Sequence, residues 1–289
     1  MTENDAVGGQ KTFLLSDDDF SALSSYIHTR YGIKISHAKK ILLETRLRKR
    51  LMILQMASYS EYREFVMGPQ GTDEIIQMID AVSTNKTEFF REPHHFDYLV
   101  KNALPELALN YGSGIQHHLM MWSAGCSSGE EPYSLAMTLA EFSEHYPGFT
   151  YDYVVLATDI STKVLDIATT AVYPEERISH IPLDLKKKYL LKSKDPAKKS
   201  VKIVPELRNR VRFRRLNLMD SDFGFREPMD IIFCRNVIIY FDAETQEELM
   251  NKFYRLLRPG GYLFLGHSET IQHLDVPFET VAPTVYRKK

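Results

Sequence analysis

The sequence predicts an α/β protein built on a parallel sheet, preceded by a small all-helical domain and interrupted by an inserted subdomain. Up to about residue 82, apolar residues recur at helical spacing. From Phe96 onward, short apolar runs alternate with helical segments, which is typical of a parallel sheet covered by helices on both faces. Between residues 172 and 210, a stretch rich in lysine and proline breaks this alternation.

Length and composition indicate a globular protein without a general preference for nucleic acid. The 289 residues are 44% hydrophobic and 26% charged, with a formal net charge of -2, so the basic excess of nucleic-acid-binding domains is lacking. Cys126 and Cys234 are too few for a disulfide framework. No apolar run approaches the roughly 18 residues of a membrane span, and the N-terminus does not read as a secretion signal. We expect a cytoplasmic protein without membrane insertion and with a disordered tail over residues 1–15.

Residues 16–82 are expected to form the helical domain. Ser16 followed by three aspartates is typical of a helix start, because its side chain can accept from a free backbone N–H and the carboxylates match the helix dipole. Helices are predicted over about residues 16–31, 37–54, 60–67 and 73–82. The second carries the basic residues Arg46, Arg48, Lys49 and Arg50, which form either a solvated face or a docking surface for an acidic partner helix.

Residues 96–289 are expected to form the α/β domain. Its strands are predicted at Leu119–Ser123, Tyr153–Thr158, Val211–Leu216, Asp230–Cys234, Tyr262–Gly266 and near Thr284–Arg287. Helices are predicted over about residues 130–145, 161–171 and 243–257. The insertion, about residues 172–210, is predicted to hold short strands at Tyr189–Leu191 and Val201–Val204.

The stretch Trp122–Ser134, WSAGCSSGEEPYS, is predicted to join a buried strand to an amphipathic helix through a tight turn. Gly125 and Gly129 permit backbone angles that other residues resist, and they let a ligand approach the main chain. The turn matches neither the dinucleotide GxGxxG pattern nor a P-loop. Glu130 and Glu131 lie at the helix entrance where a phosphate would otherwise bind, which favours a cationic ligand. S-adenosylmethionine, which carries a sulfonium and an ammonium group, fits this pattern.

Polar residues follow several of the predicted strands. Asp159 ends the strand YVVLATD, where a carboxylate can accept both hydroxyls of a ribose; alternatively, it caps the next helix. Arg235 and Asn236 follow the strand DIIFC, and ligands of open α/β sheets bind along such strand ends. Tyr240 belongs either to the core or to the site, since a buried hydroxyl needs a partner.

Four blocks of the sequence resemble, in order, the motifs of one family. They are STNKTEFFREPHHF (Ser83–Phe96), GCSSGEEPYS (Gly125–Ser134), FCRNVIIYF (Phe233–Phe241) and LRPGGYLFLGHSE (Leu257–Glu269). Over nearly its whole length the chain resembles the CheR family, the glutamate methyltransferases of bacterial chemotaxis receptors.

This resemblance implies a fold, a reaction and a partner. The fold is that of class I S-adenosylmethionine-dependent methyltransferases, a Rossmann-like, mostly parallel sheet with an antiparallel last strand, and the insertion is a small β-subdomain. The reaction transfers methyl from S-adenosylmethionine to glutamate side chains, giving methyl esters and S-adenosylhomocysteine. The partners are the cytoplasmic helices of methyl-accepting chemotaxis receptors, and we expect a monomer. Some members grip the receptor's C-terminal tail with a glycine-rich loop of the insertion; here that loop reads KSKDPAKKS, without glycine.

The resemblance also implies the site residues. Residues 83–95 form a linker that contributes to the cofactor site, with Arg91 and Tyr240 expected at the reacting end. Glu131 is expected to hold the cationic end of the cofactor, while Glu130 favours the helix dipole. The cofactor-binding set is Asn85, Thr87, Arg91, Glu131, Asp159, Asn217, Leu218, Arg235 and Asn236. From the residues alone, Asn85 could instead start a helix, and Asn217 with Leu218 could be a simple turn.

Other chemistries are less well supported. His94-His95 and His117-His118 suggest a metal site, but adjacent histidines on a helix or strand should diverge and no Cys or acidic pair completes a tetrahedral set, so no metal is predicted. Cys126 as a nucleophile lacks a neighbouring histidine in any motif, and a small turn residue explains it better.

Two other functions compete with receptor methylation. A methyltransferase acting on nucleic acid or a small molecule is the first, although amino-directed nucleic-acid enzymes usually carry an Asn/Asp-Pro-Pro-aromatic motif where this chain has CRNVIIY. A cofactor-sensing adaptor without turnover is the second, and the presence of Arg91, Arg235 and Asn236 argues against it.

Overall fold

The computed structural model describes residues 13–144, 151–195 and 197–289. The chain divides into two compact units, the first ending at Ser83 and the second containing Tyr31–Ile33 and Thr84–Lys289. Most of the predicted tail, residues 1–12, lies outside the described residues. Phe13 and Leu15 are buried, so the packed structure begins before residue 16. Within the described ranges, no helix is long and apolar enough to cross a bilayer.

The first unit is helical, as the periodicity predicts. It contains α1 (Asp17–Tyr31), α2 (Lys40–Ile53), α3 (Tyr59–Met67) and α4 (Thr72–Val82). The predicted cap at Ser16 is confirmed, because its hydroxyl accepts from the backbone N–H of Asp19 at 3.0 Å. The predicted second helix begins with a 3₁₀ turn at His37–Lys39. The helices bury one stripe each, formed by Phe20, Leu23, Ile27, Leu43, Leu47, Leu51, Tyr62, Val66, Met78 and Ile79.

The basic face of α2 is only partly available to a partner. Arg50 binds the buried carboxylate of Glu74 at 2.6 Å, and Arg46 donates to the backbone oxygens of Val82 and Ser83. These two side chains therefore hold the unit together. Arg48 and Lys49 are exposed, which reduces the predicted docking surface to its outer half.

The second unit contains a mixed set of strands and helices. The strands are β1 (Leu119–Ala124), β2 (Tyr153–Asp159), β3 (Val172–Pro174), β4 (Leu190–Lys192), β5 (Ser200–Ile203), β6 (Val211–Arg215), β7 (Met229–Cys234), β8 (Leu257–Leu265), β9 (Phe278–Ala282) and β10 (Val285–Lys288). The helices are α5 (Pro93–Tyr98), α6 (Leu104–Tyr111), α7 (Glu130–Ser143), α8 (Thr162–Thr170), α9 (Leu183–Tyr189), α10 (Pro205–Arg208) and α11 (Ala243–Leu256). A π-helical stretch, Leu99–Ala103, joins α5 to α6.

The main sheet has seven strands in the order β6-β2-β1-β7-β8-β10-β9. Its first five strands are parallel, and β10 runs antiparallel to both β8 and β9, so the antiparallel last strand is confirmed. Every residue of β1 and β7 is buried, because helices cover both faces of the sheet. One core packs on the Phe233 side of the sheet and the other on the Trp122 side.

The structure differs from the prediction in its short elements. Strand β9 is half-exposed along its length and therefore lacks the apolar run that marks the central strands. The insertion gains β3, which completes the antiparallel sheet β3-β5-β4, and the short helix α9. The carboxyl ends of β1, β2, β6 and β7 lie along one edge of the main sheet, since parallel strands end on the same side.

Candidate functional site

The glycine turn between β1 and α7 is fixed against the end of β2. The backbone N–H groups of Gly125 and Cys126 donate to Thr158 O at 2.8 and 2.9 Å. Gly125 has a φ of +78°, and a Cβ there would lie 2.4 Å from Val237 Cγ2. Gly129 has a φ of +95°. Both positions need glycine because a side chain would strain the backbone, so the turn keeps its main chain open to a ligand.

Asp159 connects this turn to the next loop. Its Oδ2 accepts from Ser127 N at 2.8 Å and its Oδ1 from Ser161 N at 2.9 Å. The cap of α8 is Ser161, whose hydroxyl accepts from Val164 N, so the alternative that Asp159 caps this helix was wrong. Both oxygens of Asp159 therefore bind backbone groups of the loops that follow β1 and β2.

Arg235 and Glu131 bind each other at the carboxyl end of β7. Arg235 Nη1 lies 3.2 Å from Glu131 Oε2, and Nη2 lies 3.0 Å from Glu92 Oε2. The Arg235 side chain is only 1% exposed, and Ser123 Oγ donates to Glu131 Oε1 at 2.7 Å. Two carboxylates against one guanidinium leave one excess negative charge, which suits a cationic ligand.

The pKa values of the two carboxylates move in opposite directions. Removal from water raises the pKa of Glu131, and the charge of Arg235 opposes this effect only in part. Burial would also raise the pKa of Glu92, but the Arg235 charge and the backbone N–H of His267 outweigh it, so the pKa of Glu92 is lowered. Glu131 is therefore the carboxylate of this pair that takes up a proton first as the pH falls.

The predicted linker, residues 83–95, lies across the glycine turn and the start of α7. Ser127 Oγ donates to Asn85 O at 3.0 Å, and Phe90 N donates to Ser134 Oγ at 2.9 Å. Arg91 Nη1 donates to Lys86 O at 3.0 Å. The segment does not form a helix at Asn85, so that alternative was wrong.

The inserted subdomain binds the backbone of this segment. Arg177 Nη1 donates to Thr87 O at 3.2 Å and lies 3.1 Å from Glu130 Oε1, while His180 Nε2 lies 2.6 Å from Phe89 O. Glu130 is 1% exposed, so it is a buried partner of Arg177 in addition to its place at the helix start. Neither Arg177 nor His180 carries a signal in the sequence, because both act through contacts distant along the chain.

Asn217 and Leu218 follow β6 next to Asp159. Leu216 N donates to Asp159 O at 3.0 Å, and Asn217 Oδ1 accepts from Met219 N at 3.1 Å. The Asn217 side chain thus makes the local turn that the residues alone suggested. Contact of this pair with a cofactor base stays a prediction.

Asn236 and Tyr240 follow β7. Asn236 has a φ of +60°, and its Oδ1 is buried with no hydrogen-bond partner among the described atoms. Tyr240 is half-buried at the end of a 3₁₀ turn, Ile238–Tyr240. An unsatisfied buried oxygen is rare in folded proteins, and it makes Asn236 a ready acceptor for a ligand donor.

The first histidine pair contradicts the prediction that adjacent histidines diverge. His94 and His95 do not diverge: their ring centroids lie 4.2 Å apart, and their ligand atoms lie with that of Glu92 within 4.8 Å. Burial lowers the pKa of His95 to about 3. Glu92 is already bound to Arg235, so a metal ion here would lie close to a guanidinium. Burial also raises the pKa of the Cys126 thiol well above its usual value, which argues against a nucleophile there.

A mostly parallel sheet in this order, with an antiparallel β10, a glycine turn after β1 and a carboxylate at the end of β2, is the Rossmann-like fold expected of a class I S-adenosylmethionine-dependent methyltransferase. Residues 85–287 match the family described as CheR methyltransferase, SAM binding domain, and residues 18–83 match CheR methyltransferase, all-alpha domain. The chain belongs to the CheR methyltransferase family.

Relatives along the whole chain agree with this assignment. The chemotaxis protein methyltransferase of Borreliella burgdorferi is 42% identical and covers 95% of each chain. Chemotaxis protein methyltransferase 2 of Pseudomonas aeruginosa is 38% identical over 97% of this chain and 96% of its own. The chemotaxis protein methyltransferase of Escherichia coli is 38% identical over 94% of this chain and 91% of its own.

Proposed function

We propose that this protein transfers methyl groups from S-adenosylmethionine to glutamate side chains on the cytoplasmic helices of chemotaxis receptors, and so tunes receptor adaptation. The main support for this proposal is the match to relatives named chemotaxis protein methyltransferase, which covers 90% or more of both chains. The negative excess around Glu131 and Glu92 supports a cationic methyl donor. The proposed domains are residues 16–82, residues 83–95 as a linker, and residues 96–289 with the insertion at about 172–210.

The acceptor needs no general base in this proposal. A glutamate side chain has a pKa of about 4.3 and is an anion at neutral pH. When bound, S-adenosylmethionine supplies an activated methyl group: the acceptor oxygen forms the new bond to carbon, and the sulfur keeps the electron pair of the broken C–S bond. The protein must hold these atoms in line, and such alignment can supply several kcal/mol.

In this proposal, the residues at the sheet edge bind the cofactor, orient the acceptor or position another side chain. Glu131 and Asn236 would bind the ammonium end of the cofactor, Asp159 the ribose hydroxyls, and Asn85, Thr87, Asn217 and Leu218 the remainder. Arg91 and Tyr240 would orient the acceptor carboxylate and the methyl donor. Arg235, whose guanidinium is held by carboxylates of the protein, would act by positioning Glu131.

The test is methyl transfer from labelled cofactor to cytoplasmic receptor fragments, followed by peptide mapping and mild base. We expect base-labile label on glutamate, since carboxyl methyl esters hydrolyse under conditions that N-methyl groups survive. Base-stable label would favour an amino-directed enzyme. Binding of S-adenosylhomocysteine without any transfer would favour an adaptor. Replacing the exposed Arg48 and Lys49 with Glu should raise the KM for the receptor fragment and leave the Kd for the cofactor unchanged.

A further inference from the structure

Glu269 is a buried carboxylate that binds the backbone of the loop after β7. It is 3% exposed. Its Oε2 accepts from Asn236 N at 2.8 Å and Gly266 N at 2.6 Å. Its Oε1 accepts from Val237 N at 2.8 Å and Ile239 N at 3.4 Å. One side chain therefore connects the end of β8 to successive residues of the loop that carries Asn236 and Tyr240.

Gly266 allows Glu269 and the loop after β7 to lie close to the end of β8. A Cβ at Gly266 would lie 2.6 Å from Asn236 Nδ2, 2.8 Å from Asn236 N and 2.8 Å from Glu269 Oε2. Only glycine lets β8 approach the loop so closely. The sequence LGHSE at the end of β8 thus combines a residue without a side chain and a carboxylate that fills the space beside it.

The loop that Glu269 binds contains one residue with a positive φ. Asn236 has a φ of +60°, in the left-handed region that most non-glycine residues avoid and that Asn adopts more readily than most. In that conformation its side-chain oxygen is buried without a hydrogen-bond partner among the described atoms. The bond from Asn236 N to Glu269 holds the backbone of this residue in that conformation.

We propose that Glu269 is a positioning residue for the methyltransferase site: it fixes the loop Asn236–Tyr240 so that Asn236 accepts from the cofactor and Tyr240 faces the reacting atoms. This inference rests on the proposed assignment of Asn236 and Tyr240 to the site. It adds a residue that touches neither cofactor nor acceptor and acts through the backbone.

Glu269→Gln is the decisive variant because it keeps the shape of the side chain. Both oxygens of Glu269 accept backbone N–H bonds, so an amide in either orientation turns its NH₂ group toward a donor. We expect the Kd for S-adenosylhomocysteine to rise at least tenfold and kcat/KM for receptor fragments to fall at least a hundredfold.

Asp230→Asn is the matched control. Asp230 is fully buried and accepts from Ser113 Oγ at 2.6 Å and Met120 N at 2.7 Å, but it lies near the start of β7, away from the site. Its variant should bind S-adenosylhomocysteine like the wild type whatever its melting temperature. Equal Kd and kcat/KM values for the two variants would overturn the proposal.

A measurement on the wild-type protein decides the case if Glu269→Gln does not fold. The amides of Asn236 and Val237 should exchange slowly with deuterium in the unliganded protein, and rates typical of an open loop would overturn the role of Glu269. Transfer of label to receptor fragments is scored separately. Its absence in the wild type would remove the proposed acceptor, while the cofactor-binding comparison still tests Glu269.

Discussion

Arg235 Nη1 lies 3.2 Å from Glu131 Oε2, and this pair joins the end of β7 to the start of α7. Both residues were assigned to the cofactor from the sequence, yet they bind each other. Since Arg235 is 1% exposed and Glu92 binds its other Nη atom, the guanidinium holds in place the Glu131 carboxylate that we propose binds the cofactor.

Replacing Arg235 with Met should lower the free energy of unfolding by about 3–5 kcal/mol, because two partly buried carboxylates lose their counter-charge. Urea unfolding measures this loss. Arg210→Met is the control, since its ion pair with Asp152 is 38% and 49% exposed, and it should cost at most about 1 kcal/mol. Similar losses in both variants would contradict the structural role of Arg235.

The affinity for S-adenosylhomocysteine should fall as the pH drops through the raised pKa of Glu131, because protonation removes the negative charge offered to the ammonium group. Glu131→Gln should remove this dependence. Calorimetry across the acid range measures it, and an unchanged pH profile in Glu131→Gln would contradict the assignment.

Glu131 and Glu92 should contribute to the pH dependence of the free energy of unfolding in opposite directions. The raised pKa of Glu131 gives a contribution that is present below the unfolded-state pKa and is lost as the pH rises through the folded-state value. The lowered pKa of Glu92 gives a contribution that is present above the unfolded-state pKa and is lost as the pH falls through the folded-state value. Glu92→Gln should therefore reduce the acid-induced loss of stability, as followed by urea unfolding at several pH values, whereas Glu131→Gln should not.

Arg91→Ala should reduce the rate of methyl transfer about a hundredfold, the scale of losing one positioned charge at a reacting centre. The Kd for S-adenosylhomocysteine should change much less, because Arg91 is assigned to the acceptor. Single-turnover assays and calorimetry measure the two effects. Equal losses in rate and affinity would place Arg91 with the cofactor alone.

Arg177→Ala should destabilise the protein by about 1–3 kcal/mol, since it leaves the buried Glu130 carboxylate without its cation. It should also raise the Kd for the cofactor, because Thr87 O loses a donor. Lys188→Ala is the control: it removes an exposed pairing with Glu141 and Glu144 and should change stability by at most about 1 kcal/mol. A cofactor Kd equal to that of the control would contradict the link between Arg177 and the site.

The central fold could be read from the sequence because parallel strands covered on both faces appear as uninterrupted apolar runs. Strands β1 and β7 are such runs, and their predicted bounds lie within a residue of the observed ones. Strands β3 and β9 are short and half-exposed, so no run marks them. Helices α5 and α6 were not predicted, because α5 is only six residues long and the π-helical stretch Leu99–Ala103 interrupts the 3.6-residue period between them.

The site could be predicted only as a set of positions. Residues at strand ends, such as Asp159 and Asn236, are readable because parallel strands share one edge. The pairing of Arg235 with Glu131, and the contacts of Arg177 and Glu269 with backbone groups, depend on side chains that meet only after folding. The spacing of residues in the sequence does not predict such contacts.

The contacts of Arg177 and His180 with Thr87 O and Phe89 O join the insertion to the segment that we propose contributes to the cofactor site. A chimera that exchanges residues 172–210 with those of a relative must therefore carry donors to both carbonyl groups. Shortening the insertion in an engineered variant would remove these two hydrogen bonds together with any receptor contact. A loss of activity in such a truncation would therefore not by itself show that the insertion binds the receptor.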